Sequence, residues 1–294
     1  MPEGHAMRSF VAETSSEPLF VYEWGDEAAP TVLFWDGLGG TGLHANELAP
    51  LLVERYGLRV IAPDPPGHGR SPPVQAEAYR PSALASIAAD LLAALGVQRA
   101  FFVGFSWGAE VAVSFGARYE ERASGVALVD GGYWDFADLP DFDTTAGLEV
   151  RIEAATRRAE AERYPSWEAY FDYEREALGR WTPALEDAHR ATMREREGMI
   201  VPIAGPDVVG AIAHGNCVEP TAAEHLALRA SEVPALLVTP AEGLGPVSRS
   251  GIERLRANVP RLGVATLPGD VHDLVSAAPF DLAELIGARV GDRQ

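Results

Sequence analysis

The sequence predicts an α/β fold, in which a mostly parallel, twisted sheet is flanked by helices on both faces and interrupted by a long helical insertion. Short apolar runs typical of buried strands alternate with segments of helical spacing over residues 31–129, and the alternation resumes over 233–294. Residues 133–232 instead carry many aromatic and arginine side chains, with amphipathic helical spacing and no clean strand. We therefore expect residues 1–132 and 233–294 to form one core, and residues 133–232 to form a separate helical unit.

Composition narrows the class of protein. The 294 residues are 47% hydrophobic and 23% charged, which is typical of a globular chain with a sizeable core. A net charge of −19 argues against nucleic acid or an anionic membrane as a partner. The single cysteine, Cys217, excludes an internal disulfide. No apolar leader opens the chain and no stretch has the length of a transmembrane helix, so we expect a cytoplasmic protein.

Apolar runs and turn residues predict the first elements of the chain. Residues 10–24 alternate loosely and predict an antiparallel hairpin. Residues 31–35 are apolar throughout, as in a strand buried on both faces, and lead into the glycine-rich loop 36–42. Helical spacing over 45–56 and an apolar run over 59–63 predict the next helix and the fourth strand.

The middle of the core continues the alternation. A helix is predicted over residues 81–95, with Pro81 in its first turn and Gly96 as its stop. The remaining core elements are strands over 100–103 and 125–129, a helix over 109–117, a strand over 233–238, a helix near 250–258, a strand over 263–267 and a closing helix from about residue 280. Within the insertion, residues 148–163 and 167–178 predict amphipathic helices.

The chain is organised around the pentapeptide Gly104-Phe105-Ser106-Trp107-Gly108, which joins a predicted strand to a predicted helix. This context is the one that a nucleophile elbow requires. In such an elbow the two backbones approach so closely that side chains at the flanking glycines would collide, and the serine hydroxyl is lifted beside the helix N-terminus. The dipole and free N–H groups of that terminus favour developing negative charge.

Several such pieces together resemble the α/β-hydrolase family over nearly the whole chain. They occur in the family's order: the glycine-rich loop after the third strand, the turn formed by Asp64, Gly67, Gly69 and Ser71, the pentapeptide, an insertion after the sixth strand, and the late histidine His272. The resemblance implies an α/β-hydrolase core with a helical cap over the active site. It also implies a triad in the chain order nucleophile, acid, histidine.

A serine hydroxyl needs a base to take its proton, and the base needs a carboxylate to orient it. Of the seven histidines, His272 follows the last strand in a short loop and is the predicted base for Ser106. For the acid, Asp130 follows the sixth strand and Glu242 follows the seventh. Most of the family places an aspartate after the seventh strand, but a subset that includes haloalkane dehalogenases uses the sixth. We favour Asp130 and retain Glu242 as the alternative acid.

The oxyanion of a tetrahedral intermediate needs hydrogen-bond donors. The backbone N–H of Trp107 offers one, and by resemblance the second comes from Leu38. Many relatives have His-Gly where this chain has Asp36-Gly37. A carboxylate in the oxyanion hole would oppose the developing charge, so Asp36 must point away, be neutralised or meet a cation. If Asp36 faces the pocket, it would favour a substrate that carries an amine.

Together these residues predict a serine hydrolase that cleaves a small, largely apolar ester or lactone through an acyl-enzyme on Ser106. Predicted substrate contacts are Asp36, Gly37, Phe105, Tyr133 and Trp134. The alternatives are an amide, iminopeptide or carbon–carbon bond hydrolase on the same triad, and a ligand-binding sensor with low turnover. No metal or organic cofactor is implied, the expected partner is a small-molecule substrate, and monomer or homodimer is left open.

Overall fold

The structure is a computed structural model that describes residues 7–133, 135–140 and 142–291. Its strands are β1 (Arg8–Ala12), β2 (Leu19–Trp24), β3 (Thr31–Trp35), β4 (Arg59–Pro63), β5 (Ala100–Phe105), β6 (Ala123–Val129), β7 (Met193–Arg196), β8 (Met199–Pro202), β9 (Ala235–Pro240) and β10 (Gly263–Leu267). Its α-helices are α1 (Leu48–Tyr56), α2 (Pro81–Ala94), α3 (Trp107–Arg118), α4 (Leu148–Ala161), α5 (Trp167–Leu178), α6 (Pro183–Thr192), α7 (Pro206–Val218), α8 (Thr221–Ala230), α9 (Pro246–Asn258), α10 (Leu274–Ala277) and α11 (Pro279–Gly291). Short 3₁₀ segments lie at Gly42–Asn46, Ala76–Tyr79 and Phe136–Asp138.

Eight strands form one sheet in the order β1-β2-β4-β3-β5-β6-β9-β10. The pairs from β4 to β10 are parallel, and β2 runs antiparallel to both of its neighbours. The carboxyl ends of β3, β5, β6, β9 and β10 therefore meet at one edge, where side chains from distant parts of the sequence can converge. The predicted fold class is confirmed.

The central strands are apolar throughout because helices cover both faces of the sheet. In β5, Phe102 packs in a cluster with α2 and α3 side chains such as Leu91 and Phe115. Its neighbours Phe101 and Val103 point to the other face, into a cluster with side chains of α1 and α11. This alternation fixes the register of β5, and so it fixes which way the turn after Phe105 faces.

The predicted boundaries agree with the structure at most core elements. α2 begins at Pro81, and Gly96 adopts a left-handed φ of 68° just beyond the helix. The predicted helix over 45–56 is instead divided into a 3₁₀ turn at Gly42–Asn46 and α1.

Between β6 and β9 the chain forms α4 to α8, and it also forms a β7–β8 hairpin that the sequence analysis did not predict. The expectation of no strand in residues 133–232 is therefore wrong. Strand β7 is Met-Arg-Glu-Arg, and only Met193 of its four residues is buried, so it lacks an alternating apolar pattern. The hairpin forms because Glu197 and Gly198 both adopt positive φ, at 54° and 74°, as a two-residue hairpin turn requires.

Over the part of the chain that the structure describes, no helix combines the length and apolar character needed to cross a bilayer.

Candidate active site

Ser106 occupies the sharp turn between β5 and α3, with φ 50° and ψ −120°. The flanking glycines are required by close backbone approach. A Cβ on Gly104 would lie 2.1 Å from the carbonyl oxygen of Gly108, and a Cβ on Gly108 would lie 2.2 Å from the carbonyl oxygen of Trp35. The expected collision at both glycines is confirmed. The strained serine backbone is characteristic of a nucleophile elbow.

A continuous hydrogen-bond chain links Ser106, His272 and Asp130. Ser106 Oγ lies 2.9 Å from His272 Nε2, and His272 Nδ1 lies 2.7 Å from Asp130 Oδ2. The three residues follow β5, β10 and β6, so the parallel sheet brings them to one edge from widely separated positions. The His272 side chain remains 59% exposed, which leaves the imidazole open to solvent and substrate.

Asp130 is held rigidly at the end of β6. Its backbone has a φ of 41°, its N–H donates to the Val238 carbonyl at 2.8 Å, and the residue is 4% exposed. The hydroxyl of Tyr133 donates to Asp130 Oδ1 at 2.8 Å, which leaves Oδ2 for His272. Burial and the adjacent Asp130 carboxylate raise the pKa of Tyr133, so the phenol keeps its proton and stays a donor.

Glu242, the alternative acid, lies apart from this chain. It is exposed beyond β9, and its backbone N–H donates to the Gly269 carbonyl at 3.0 Å. Among the described residues, no hydrogen bond reaches its carboxylate.

The expected oxyanion donors flank Ser106. Leu38 lies in the loop after β3, and Trp107 is the first residue of α3. Within the described ranges, neither backbone N–H donates to a protein acceptor, so both are free for a ligand. Gly37 brings this loop against the serine, since a Cβ there would lie 3.0 Å from Ser106 Cβ.

Asp36 contacts His44, a side chain that can supply the cation named among the three expected alternatives. Its Oδ1 lies 2.9 Å from His44 Nδ1, and His44 Nε2 lies 3.2 Å from Asp273 Oδ2 and 2.9 Å from Ser276 Oγ. Burial alone would lower the pKa of His44, but Asp273 and Asp36 on either side raise it well above its ordinary value. These hydrogen bonds join the loop after β3 to the loop that carries His272, and a proton on His44 would offset the charge of Asp36.

The turn at residues 64–71 supports the loop after β3. It contributes no residue to the Ser106–His272–Asp130 hydrogen-bond chain. The Asp64 carboxylate accepts from the N–H groups of Gly42 and Arg70 at 2.9 and 2.8 Å, and Ser71 Oγ donates to the Asp64 carbonyl at 2.7 Å. His68 is buried, stacks on Trp107 and lies 3.0 Å from the Pro66 carbonyl through Nδ1. Through these contacts the turn supports both the loop after β3 and the first residue of α3.

Two cavities open from Ser106 and share Leu38 and His272 in their walls. The small cavity, about 200 Å³, lies over the Asp36–His44 side and is roofed by Tyr170, Ala188, His189 and Thr192 of the insertion. The large cavity, about 530 Å³, extends under α4 and α7. Its apolar wall includes Phe136, Phe142, Ala155, Val209 and Ile212, and its polar groups include Glu110, Asp135, Arg151 and Asn216.

The predicted substrate contacts divide between these positions. Asp36, Gly37 and Phe105 line the small cavity. Tyr133 is 3% exposed and borders neither cavity, because its ring lies behind Asp130. Trp134 lies outside the described residues.

Sequence reasoning missed the Asp36–His44–Asp273 link, the Tyr133–Asp130 hydrogen bond and the polar groups of the large cavity. For the Tyr133–Asp130 hydrogen bond, the only signal in the sequence was the short spacing between the two residues. His44 and Asp273 are 229 positions apart and meet only through the sheet topology. The polar groups of the large cavity meet only through the packing of the insertion on the core. Over the described residues, no cluster of three or more His, Cys, Asp or Glu side chains could hold a metal ion.

In sequence, residues 30–165 match the profile of a family described as the alpha/beta hydrolase fold, a range that includes Ser106 and Asp130. The chain is 37% identical over 111 residues to a 2-hydroxy-6-oxononadienedioate/2-hydroxy-6-oxononatrienedioate hydrolase of Burkholderia vietnamiensis, covering 37% of this chain and 37% of that protein. It is 31% identical over 135 residues to an sn-1-specific diacylglycerol lipase of Mus musculus, covering 46% of this chain and 41% of the lipase. Each alignment thus spans less than half of the relative's length.

In three dimensions, the thioesterase domain from the curacin biosynthetic pathway superposes with a TM-score of 0.76 at 20% identity, covering 96% of this chain and 99% of that domain. At this level of identity the likeness concerns the fold.

Proposed function

Because this chain belongs to the α/β-hydrolase fold family, we propose that it is a serine hydrolase that cleaves a small, largely apolar ester or lactone through an acyl-enzyme on Ser106. The observation that carries the proposal is the hydrogen-bond chain from Ser106 Oγ through His272 to Asp130. Two cavities at Ser106 offer separate space for the two halves of an ester.

In the proposed reaction, Ser106 Oγ attacks the substrate carbonyl while His272 Nε2 takes its proton. Asp130 Oδ2 accepts from His272 Nδ1–H and stabilises the imidazolium that forms. The N–H groups of Leu38 and Trp107 hold the oxyanion. His272 then protonates the leaving alcohol, and a water that it activates releases the acid from Ser106.

The insertion at residues 133–232 acts in this proposal as a cap that selects substrates. Its side chains roof the small cavity and form much of the wall of the large one. Substrate choice therefore depends on α4 to α8, while the chemistry depends on the core.

A second candidate on the same residues is hydrolysis of a carbon–carbon bond. It is favoured by the 37% identity to the 2-hydroxy-6-oxononadienedioate hydrolase. Turnover of 4-nitrophenyl esters ranked against a vinylogous 1,5-diketone substrate separates the two candidates, since the better substrate identifies the reaction.

The proposal is tested by intact mass after exposure to a fluorophosphonate probe, together with turnover of 4-nitrophenyl esters of two to twelve acyl carbons. We expect one adduct on the wild type and on Ser250→Ala, a control at an exposed serine of α9. Ser106→Ala loses both the adduct and the ester turnover. An adduct that persists in Ser106→Ala contradicts the proposal because another residue is then the nucleophile. A folded wild type that forms no adduct also contradicts it and favours a ligand-binding sensor.

A further inference from the structure

The large cavity contains a buried cation that the proposed reaction does not use. Arg151 belongs to the face of α4 that packs on α7, and it is 8% exposed. Close approach of the two helices encloses it, since a Cβ on Gly210 of α7 would lie 2.7 Å from the backbone N of Ile152. The Arg151 side chain forms part of the cavity wall on the same cavity that reaches Ser106 and the oxyanion donors.

The guanidinium of Arg151 is only partly satisfied by the protein. Its Nη2 donates to the Asp143 carbonyl and lies 3.6 Å from Cys217 Sγ, and its plane lies over the Phe142 ring at 4.2 Å. Among the residues that the structure describes, Nε has no acceptor. The Asp143 carboxylate is near enough for Arg151 to help lower its pKa, but no described carboxylate forms an ion pair with the guanidinium. A buried charge without a counter-ion is costly, so a bound anion would stabilise this arrangement.

The acidic groups of the large cavity do not supply that counter-ion. Asp130 is engaged by His272 and Tyr133, and Asp135 accepts from Ala222 N–H and pairs with Arg254 at 3.6 Å. Burial raises the pKa of Glu110 to about 8, so at neutral pH it is a protonated acid whose Oε2 has no partner among the described residues. The amide oxygen of Asn216 is likewise unpartnered there. Over the described part of the cavity, these groups offer hydrogen bonds but no ion pair to Arg151.

Arg158 lies on the same helix and borders the same cavity, but its charge is exposed and already paired. Its side chain is 64% exposed and pairs with Glu162 at 2.7 Å. An exposed, paired arginine contributes little to binding. Of the two arginines that line the cavity among the described residues, only Arg151 is buried.

We propose that the large cavity binds a carboxylate of the substrate through Arg151, so that the enzyme acts on esters in which an apolar segment joins the scissile carbonyl to an acid group. This inference rests on the proposed function of Ser106. The planar fork of arginine suits carboxylate recognition, and a hydrogen bond to a charged group in a buried site is stronger than one between neutral groups. The apolar wall would hold the segment between the two ends.

The test compares matched substrates that differ only in the acid group. Mono-4-nitrophenyl adipate and its methyl ester place the group on the acyl side, and 4-butyryloxybenzoate and its methyl ester place it on the leaving-group side. In one of the two series we expect the wild type to prefer the acid, measured as the ratio of kcat/KM for acid over methyl ester. Arg151→Gln should reduce that ratio about 10- to 100-fold.

Arg158→Gln is the matched control, and its ratio should stay near that of the wild type because its charge is exposed. Arg151→Lys keeps the charge without the fork and should give an intermediate ratio. The inference is overturned if the wild type prefers the methyl ester in both series, or if folded Arg151→Gln keeps the wild-type ratio. The first of these outcomes needs no variant, so it decides the question even if Arg151→Gln does not fold.

Failure of the proposed function gives a different result. In that case no ester is cleaved and no fluorophosphonate adduct forms. The carboxylate site is then measured by the shift in Tm that adipate produces, which should saturate in the wild type, be weakened in Arg151→Lys and be lost in Arg151→Gln. A wild-type Tm that adipate leaves unchanged overturns the inference.

Discussion

Asp130 and Glu242 are both carboxylic acids, but only Asp130 has the burial, fixed position and hydrogen bonds that a triad acid needs. Asp130 is buried, fixed by the end of β6 and hydrogen-bonded through both oxygens, to Tyr133 and His272. Glu242 is exposed on a loop. A carboxylate that orients a histidine must hold one position in the ground state and the transition state, and only the first of these environments provides that.

We predict that Asp130→Asn lowers kcat/KM for a 4-nitrophenyl ester by a factor on the order of 10³–10⁴, because the amide cannot hold the required tautomer of His272 or stabilise its cation. Glu242→Gln should leave kcat/KM unchanged. Steady-state kinetics on both variants, with circular dichroism to verify folding, make the comparison. A larger loss in Glu242→Gln would assign the acid to the loop after β9.

The pentapeptide and the last loop have local signals that pointed to Ser106 and His272, but for the acid the sequence favoured Asp130 and left Glu242 as an alternative. It was insufficient for Asp36, since whether that carboxylate faces a substrate depends on His44 and Asp273, and nothing local links His44 to position 273. The burial of Arg151 was also not predictable from the sequence. On a helical wheel it is one of several arginines of α4, and its burial comes from the packing of α4 on α7.

At the scale of elements, the core was predictable because strands buried on both faces are apolar runs bounded by turn residues. The insertion was less predictable, since its elements bury only one face each. Residues Met193 and Ile200 are the buried positions of the β7–β8 hairpin, too few to give an alternating pattern. They pack with Tyr170 and Phe171 of α5, a contact that the sequence alone does not reveal.

A group of polar contacts attaches the insertion to the core beside the small cavity. Glu47, at the start of α1, accepts from Arg180 at 2.6 and 3.1 Å and from Thr182 Oγ1 at 2.7 Å. Arg180 also donates to the Ser276 carbonyl. The segment between α5 and α6 is therefore joined both to the start of α1 and to α10, which follows His272.

We predict that Glu47→Gln loosens this attachment by about 1–3 kcal/mol, since a hydrogen-bonded, largely buried charge pair is lost. The effect should appear as hydrogen exchange about 5- to 100-fold faster in α5 and α6, with the core helices unchanged. Glu168→Gln removes an exposed ion pair to Arg175 in the same insertion and should have little effect. Equal exchange in Glu47→Gln and the wild type would contradict an attachment at this point.

At the scale of the whole molecule, folding changes the proton affinity of two opposing sets of groups. Burial lowers the pKa values of His68, His225 and His189, the last to about 4. These histidines bind fewer protons in the folded state, so their contribution makes stability rise with pH up to about their ordinary pKa of 6.5. Burial raises the pKa of Asp64 to about 6 and that of Glu174 to about 7, and these groups act in the opposite direction.

Glu110 should dominate the second set. Its pKa rises from 4.5 to about 8, chiefly by burial, with Asp135 adding to the shift and the N–H of Gly132 opposing it. Between those two values the folded state holds a proton that the unfolded state has released. The free energy of unfolding must then fall as pH rises through this window, by at most about 1.4 kcal/mol per pH unit for one group.

We therefore predict that the advantage of Glu110→Gln over the wild type grows with pH between about 5 and 8, because glutamine keeps the neutral shape of the protonated acid and does not titrate. Urea unfolding at intervals of half a pH unit measures the difference, and subtraction of the two profiles cancels His44, Glu174 and the buried histidines, which both proteins share. Glu242→Gln, at an exposed carboxylate, should give a profile parallel to the wild type. Parallel profiles for Glu110→Gln would mean that Glu110 binds its proton equally in the folded and unfolded states, and the wall of the large cavity would then contain an ionised carboxylate at neutral pH.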